Sequence, residues 1–161
     1  MVGSKSRKGF NMVELSFGFI IIGLALAGVF AAANKFMTSQ KADNVVSSVQ
    51  STLTALETIK TNNAGAYPVS AAATSLATAS TNRILNAMGG AANMKDVAGY
   101  TYLCVLGAAS PLTIVTGTIE GGAGGSVQLS AIDKLNGKFP SFTATAVGAT
   151  IQLVKTDSNC Q

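Results

Sequence analysis

The hydrophobic pattern divides the first sixty residues into two segments. Residues 15–34 contain no charged side chain and consist almost entirely of Phe, Ile, Leu, Val, Ala and Gly. Twenty residues of helix rise about 30 Å, which matches the hydrocarbon core of a bilayer. From Val45 to Ile59, apolar residues recur every three to four positions, as in a helix that packs on one side. Because no proline occurs between residues 10 and 67, we predict one nearly continuous helix over 10–60.

Turn-forming residues follow this helix. The sequence TNNAGAYP, at 61–68, contains the Asn, Gly and Pro residues that stop helices. Residues 70–98 are rich in Ala, Ser and Thr, and we predict an irregular loop that contains one short helix. The buried face of that helix is predicted to consist of Ile84, Leu85 and Met88.

From Tyr100 onward the pattern is typical of β-structure. Four segments rich in Val, Ile, Thr and Tyr are separated by Gly-rich turns. We predict them as strands of one antiparallel sheet, at 100–106, 112–119, 126–130 and 143–154. Between them, 120–126 is predicted to be a flexible hairpin loop, and 132–140 to contain a short helical turn. The predicted fold class is therefore α+β, with the second half of the long helix packed on a four-stranded antiparallel sheet.

Charges are few and unevenly placed. Asp, Glu, Lys and Arg make up 11% of the 161 residues, against about 25% in a typical soluble protein. Lys5, Arg7 and Lys8 all precede the apolar segment, which favours a cytoplasmic N-terminus and an exported remainder. From Phe10 onward, eight Lys and Arg nearly balance seven Asp and Glu. We therefore expect no specific binding of nucleic acid.

The residue types argue against an enzyme. The chain has no His and only two Cys, so a His/Cys zinc site and His-based proton transfer lack their side chains. The carboxylates beyond the helix are scattered, and the Gly-rich segment lacks the Lys-Ser/Thr ending of a phosphate-binding loop. We expect no catalytic residue, no metal and no cofactor.

One carboxylate stands at the start of the apolar segment. Glu14 is followed by no other charge until Lys35, and an acidic side chain at the centre of a membrane helix costs about 2.5–3.5 kcal/mol, less near its edge. A cut between Gly9 and Phe10 would create a cation, the α-amino group of Phe10. In a helical array, that amine of one subunit would meet Glu14 of its neighbour, and such pairing allows a buried carboxylate to persist.

The stretch at 8–15, KGFNMVEL, resembles the N-terminal signature of type IV prepilins, the class III signal. In that family a short basic leader ends in Gly, and a prepilin peptidase cuts after it. The new N-terminal residue, often Phe, is then N-methylated, and the fifth mature residue is Glu. The resemblance assigns cleavage to Gly9, methylation to Phe10 and assembly to Glu14. Two departures are Asn11, where Thr or Ser is more usual, and Ala31, where many members have Pro.

The resemblance implies the pilin fold and a division of the chain. The leader would be 1–9 and the long helix 10–60, of which 10–34 would span the membrane. A loop would follow at 61–99, and 100–161 would form the sheet with a disulfide-bounded C-terminal region.

The two cysteines offer a single possible disulfide. Cys104 and Cys160 would both be exported, where disulfides persist, and major pilins carry a disulfide at this end of the chain. A bridge that encloses residues 105–159 is worth about 4 kcal/mol in the chain-entropy model. This long loop is similar to type IVb pilins, whereas the short leader and Phe10 are similar to type IVa, so the subgroup stays open.

The function implied by the resemblance is that of a structural subunit of a type IV pilus. Its partners would be copies of itself, the prepilin peptidase and the inner-membrane assembly machinery. It would lie in the inner membrane before assembly and in an extracellular fibre afterwards, and would serve adhesion, motility or DNA uptake. One alternative is a pseudopilin or minor pilin of a type II secretion or competence system. A second is an exported soluble binding protein cleaved after Ala33.

Overall fold

The computed structural model describes residues 11–75, 99–105, 111–156, 158 and 160. The chain divides into two compact units, residues 1–37 and 38–161. In chain order the elements are α1 (Met12–Asn62), β1 (Ser70–Ser75), β2 (Thr101–Cys104), β3 (Leu112–Val115), α2 (Ser126–Lys138), β4 (Thr143–Val147) and β5 (Thr150–Lys155).

Helix α1 confirms the predicted long helix, with bounds two residues later at each end. It ends in a Schellman-type turn, in which the Gly65 amide donates to the Lys60 carbonyl at 2.9 Å. Ala64 takes the left-handed conformation (φ 52°) that glycine usually supplies at this position. The TNNAGAYP segment therefore stops the helix as its composition predicts.

The sheet is antiparallel throughout, with the strand order β1-β2-β3-β5-β4. Four strands, β2, β3, β5 and β4, lie side by side as the predicted fold class requires, and β1 adds a fifth next to β2. The amphipathic half of α1 shares one apolar core with this sheet. The α+β fold class is confirmed, and a long apolar N-terminal helix, an antiparallel sheet and a disulfide are compatible with the pilin fold. The largest buried apolar side chains of the core are Val49, Leu56, Tyr67, Tyr102, Leu112, Ile114, Leu135, Ile151 and Leu153.

The strand predicted at 126–130 is wrong, because these residues open helix α2. Val127, Ala131 and Leu135 are buried at intervals of four residues, which is the spacing of a helix that covers a core on one side. The short helical turn predicted within 132–140 is the second half of the same helix. Since no strand follows it, the Gly-rich segment at 120–126 is not a hairpin loop.

Two further predictions, one of a strand and one of a loop, need correction. The single strand predicted over 143–154 is a hairpin of β4 and β5, which turns at Gly148 with a φ of 56°. Strand β1 lies where an irregular loop was predicted, and it pairs with β2 despite its Ala-rich sequence. The remainder of that loop, 76–98 with its predicted short helix, lies outside the described residues.

Gln128 joins the Gly-rich segment to the hairpin. Its side chain is fully buried; its Oε1 accepts from the Gly124 amide at 2.7 Å, and its Nε2 donates to the carbonyls of Gly148 (3.0 Å) and Thr150 (2.7 Å). A buried amide with all these partners stabilises the Gly-rich segment and the hairpin turn together, whereas an unpaired one would cost about 1–3 kcal/mol.

Candidate functional site

Asn11 and Glu14 form the start of helix α1. The Asn11 carbonyl accepts from the Leu15 amide at 3.2 Å, and its Oδ1 accepts from the Val13 amide at 3.5 Å, so Asn11 acts as the N-cap. Glu14 follows three residues later, in the first turn. This is the spacing of a capping box, and a negative charge is favoured there by the helix dipole. Asn11, the departure from the prepilin pattern, thus has a local role in starting the helix.

The carboxylate of Glu14 is exposed. Within the described part of the chain it forms no ion pair. Gly9 and Phe10 lie outside the described residues, so cleavage, methylation and the pairing of Glu14 with an amine stay predictions.

Residues 12–37 of α1 present a continuous apolar surface. Every large apolar side chain there is more than half exposed. None of the residues in an apolar 18-residue stretch of the helix is buried. By length and composition this helix is able to cross a membrane, and so large an exposed apolar patch requires lipid or protein to cover it. The side chains are Met12, Val13, Leu15, Phe17, Phe19, Ile20, Ile21, Ile22, Leu24, Leu26, Val29, Phe30, Phe36 and Met37.

In the second unit, helix α2 is held against α1 by lysines. Lys134 Nζ lies 2.8 Å from Asp43 Oδ1 and donates to Ser39 Oγ at 3.0 Å. Lys138 Nζ donates to Gln50 Oε1 at 2.5 Å. These partly exposed contacts are individually worth about 1 kcal/mol or less, but they join positions about 90 residues apart. These lysine contacts could not be expected from the sequence, because residues 126–130 were predicted as a strand and not as the start of α2.

Tyr67 is the centre of a polar cluster between α1 and β5. Its buried hydroxyl donates to Glu57 and accepts from Lys155 Nζ at 3.2 Å. The ammonium groups of Lys60 and Lys155 lie 4.9 and 5.5 Å from the centre of its ring, within cation–π range. Nearby, the Tyr102 hydroxyl donates to the Pro68 carbonyl at 2.6 Å.

The cluster shifts the pKa values of its members in opposite directions. Burial, followed by the hydrogen bond to Glu57 and the charge of Glu57, raises the pKa of Tyr67 above its ordinary value of 10.0. Burial likewise raises the pKa of Tyr102. Partial burial opposes ionisation of Glu57, but the hydrogen bond from Tyr67 and the charges of Lys60 and Lys155 outweigh it and lower the pKa of that carboxyl.

We expect Tyr67→Phe to change the alkaline stability of the protein. Because the folded-state pKa of Tyr67 is raised, its contribution is fully present below about pH 10 and is lost as the pH rises through the folded-state value. Near pH 7 the variant should lose about 2 kcal/mol of unfolding free energy, since a buried hydrogen bond to a charged group disappears. The difference between parent and variant should shrink above about pH 10.

Urea unfolding of the full chain in mild detergent, from about pH 7 to 11, measures this difference. Parent and variant differ only in the Tyr67 hydroxyl, so the difference between their unfolding free energies isolates that group. Tyr102→Phe, which removes a buried hydroxyl that bonds a neutral carbonyl, should lose less stability near pH 7, and its difference from the parent should also shrink at high pH because burial raises the pKa of Tyr102. A stability difference between parent and Tyr67→Phe that stays constant over the whole range would contradict the assignment.

A disulfide joins β2 to the C-terminal segment. Cys104 and Cys160 are both buried, with their Cα atoms 5.7 Å apart. Beside it, the backbones of Tyr67 and Cys160 form a parallel β-bridge, and the Leu112 amide donates to Ser158 Oγ at 2.7 Å. Ser158 and Cys160 therefore connect the chain after β5 to the start of β3, to the segment before β1 and to the end of β2.

Among the described residues, no group of three Cys, Asp or Glu side chains converges as a metal site requires. No family model, no curated protein and no solved structure matches this chain.

Proposed function

We propose that this protein is a structural subunit of a type IV pilus-like filament. The observation that supports it most directly is the exposed apolar surface of residues 12–37, with Glu14 in the first helical turn. The sequence Lys8–Gly9–Phe10 in front of that turn supplies a cleavage site whose product is a new cation. Neither an ordinary membrane anchor nor a secretory signal requires a carboxylate at this position.

In this proposal, the apolar half of α1 is first covered by lipid and then by the same segment of neighbouring subunits. Exchange of lipid for protein gains little hydrophobic free energy, because both surroundings are apolar. Close packing and electrostatics must therefore select the neighbour. A carboxylate and an amine attract each other most strongly where water is excluded, so the Glu14–Phe10 pair sets the register between subunits rather than adding net stability.

Outside the membrane the hydrophobic effect holds the filament together. A subunit that left the fibre would expose the large apolar side chains of residues 12–37 to water, at about 1.5–3 kcal/mol for each fully exposed side chain. The second unit, closed by the Cys104–Cys160 disulfide, would form the fibre surface. Adhesion, motility or DNA uptake are the activities that such a fibre would serve.

We expect Gly9→Ala to block maturation. Co-expressed with a prepilin peptidase, the parent should yield a chain that begins with N-methylated Phe10, because the peptidase cuts after the leader glycine. The variant should keep residues 1–9, and its mass should exceed that of the parent by the leader. Intact-mass spectrometry and N-terminal sequencing measure both products.

Gly3→Ala is the matched control, since it changes another leader glycine and should leave processing unchanged. A mature chain that begins at Phe10 from the Gly9→Ala variant would refute the requirement for glycine before the cut, and a parent chain that begins at another residue would refute this cleavage site. A mature chain that begins at Asn34 in the parent would identify an exported soluble protein cleaved after Ala33 and would refute the filament proposal.

A further inference from the structure

Strand β4 lies at one edge of the sheet, next to β5 only. In an antiparallel ladder, alternate residues direct their backbone groups toward the neighbouring strand and away from it. Ala144 is one of the residues whose groups point away from β5. Its amide donates to Asn136 Oδ1 at 2.8 Å, and its carbonyl accepts from Asn136 Nδ2 at 3.2 Å.

These two bonds reproduce those of a β-strand neighbour. In a hydrogen-bonded antiparallel pair, two residues exchange both N–H···O bonds. The carboxamide of Asn136 offers the same acceptor and donor from a side chain of α2. The Ala144 position that another strand would use is thus already occupied.

The same edge is engaged on both sides of Ala144. The Phe142 amide donates to the Phe139 carbonyl at 2.9 Å, and the Gly148 carbonyl accepts from Gln128 Nε2 at 3.0 Å. Ala146 lies between Ala144 and Gly148 and is exposed. By the same alternation, its backbone groups point away from β5. Ala146 alone offers too few backbone groups to pair with another strand. Ala144 and Ala146 together would offer enough.

We propose that Asn136 blocks the β4 edge against pairing with β4 of a second copy of this chain. The strand itself lacks the usual protection, since its sequence, TATAV, has neither charge nor proline. Four of its five residues are exposed, and β-branched residues favour pairing. Two identical β4 edges can pair antiparallel about a two-fold axis, because each presents the same groups to the other.

Blocking of the β4 edge depends on α2 and the sheet, and it is independent of the proposed filament. In a filament, however, subunits are held at high local concentration, where sheet-to-sheet pairing would compete with packing through α1. A side chain that closes the edge leaves α1 as the contact that determines assembly.

Asn136→Ala tests the inference in the full chain in mild detergent. The variant should form dimers whose fraction rises with protein concentration, measured by light scattering under conditions in which the parent keeps a constant mass. In dilute samples its Ala144 amide should exchange hydrogen about tenfold faster than in the parent, as loss of one hydrogen bond predicts. The exchange should slow again as dimers form.

Two further variants separate edge pairing from a loss of stability. Adding Ala146→Pro to Asn136→Ala removes an outward amide without breaking the β4–β5 ladder, and should restore the parent mass. Asn136→Asp keeps the acceptor for Ala144 and adds a charge that opposes pairing, so it should keep the parent mass. Asp133→Ala, an exposed change on the same helix, is the control.

A parent-like mass for Asn136→Ala at every concentration would overturn the inference. So would an association that persists after Ala146→Pro, since it would then involve another surface. Either result would leave processing after Gly9 and filament formation untouched.

Discussion

Replacing Glu14 with glutamine is expected to abolish filaments while the cut after Gly9 proceeds. Glutamine retains the size of the side chain and is accepted at N3 of a capping box, the third residue of the helix. Helix α1 should therefore still begin at Met12. Only the charge that would pair with the Phe10 amine of a neighbour is lost. Electron microscopy and immunoblotting of sheared surface fractions measure the fibres, and mass spectrometry of the cell-bound chain measures cleavage.

Ser16→Ala is the matched control for this substitution. The Ser16 hydroxyl donates to the Met12 carbonyl of its own helix at 2.9 Å, so its removal should leave fibres near the parent level. Abundant fibres from the Glu14→Gln variant would refute the pairing of the carboxylate with an amine. In that case its position in the first helical turn, where a negative charge is favoured, would suffice to explain its presence.

Loss of the disulfide is expected to be the largest change in stability. Replacing both Cys104 and Cys160 with alanine should lower the unfolding free energy by about 4 kcal/mol, the chain-entropy value for a sequence separation of 56. Alanine avoids the burial of new hydroxyl groups at these two buried positions. Urea unfolding of the full chain in detergent, with and without reductant, measures the effect.

Adding reductant to both proteins provides the control for the double substitution. It should destabilise the parent by an amount close to that of the double substitution and leave the double variant unchanged. A loss of less than about 1 kcal/mol in the reduced parent would show that the backbone bridge at Tyr67 and the Ser158 contact suffice to hold the C-terminal segment.

The long helix was predictable because two independent patterns agree over its length. An uninterrupted apolar run and then a one-sided stripe both indicate a helix, and nothing between them disrupts it. The hairpin turn at Gly148 was missed, although a glycine inside a β-like run is a known turn signal. Strand β1 was missed because Ala and Ser have little strand propensity; its pairing with β2 determines its conformation.

Helix α2 shows why the region after 120 was misread. Val, Ser and Leu in GSVQLSAID suggested a strand, although Val127, Ala131 and Leu135 have helical spacing. Gln128 interrupts the apolar pattern because it is buried for its hydrogen bonds rather than for its hydrophobicity. Contacts such as Asn136 to Ala144 are set by the packing of α2 beside β4, and no local pattern indicates them.

The candidate site, too, was only partly predictable from the sequence. Glu14 stood out from sequence because a lone carboxylate in an apolar segment requires a physical reason. The Tyr67 cluster gave no such signal, since Glu57, Tyr67 and Lys155 are ordinary residues until the fold brings them together.

The contacts that close the second unit also set the order in which it can be completed. Lys134 and Lys138 contact side chains at positions 39–50, and Ser158 and Cys160 contact the start of β3 and the segment before β1. Because a chain is synthesised from its N-terminus, α1 is made long before these partners are. Its apolar stripe therefore stays uncovered until nearly the entire sheet has been made, so the second unit can complete its fold only at the end of chain synthesis.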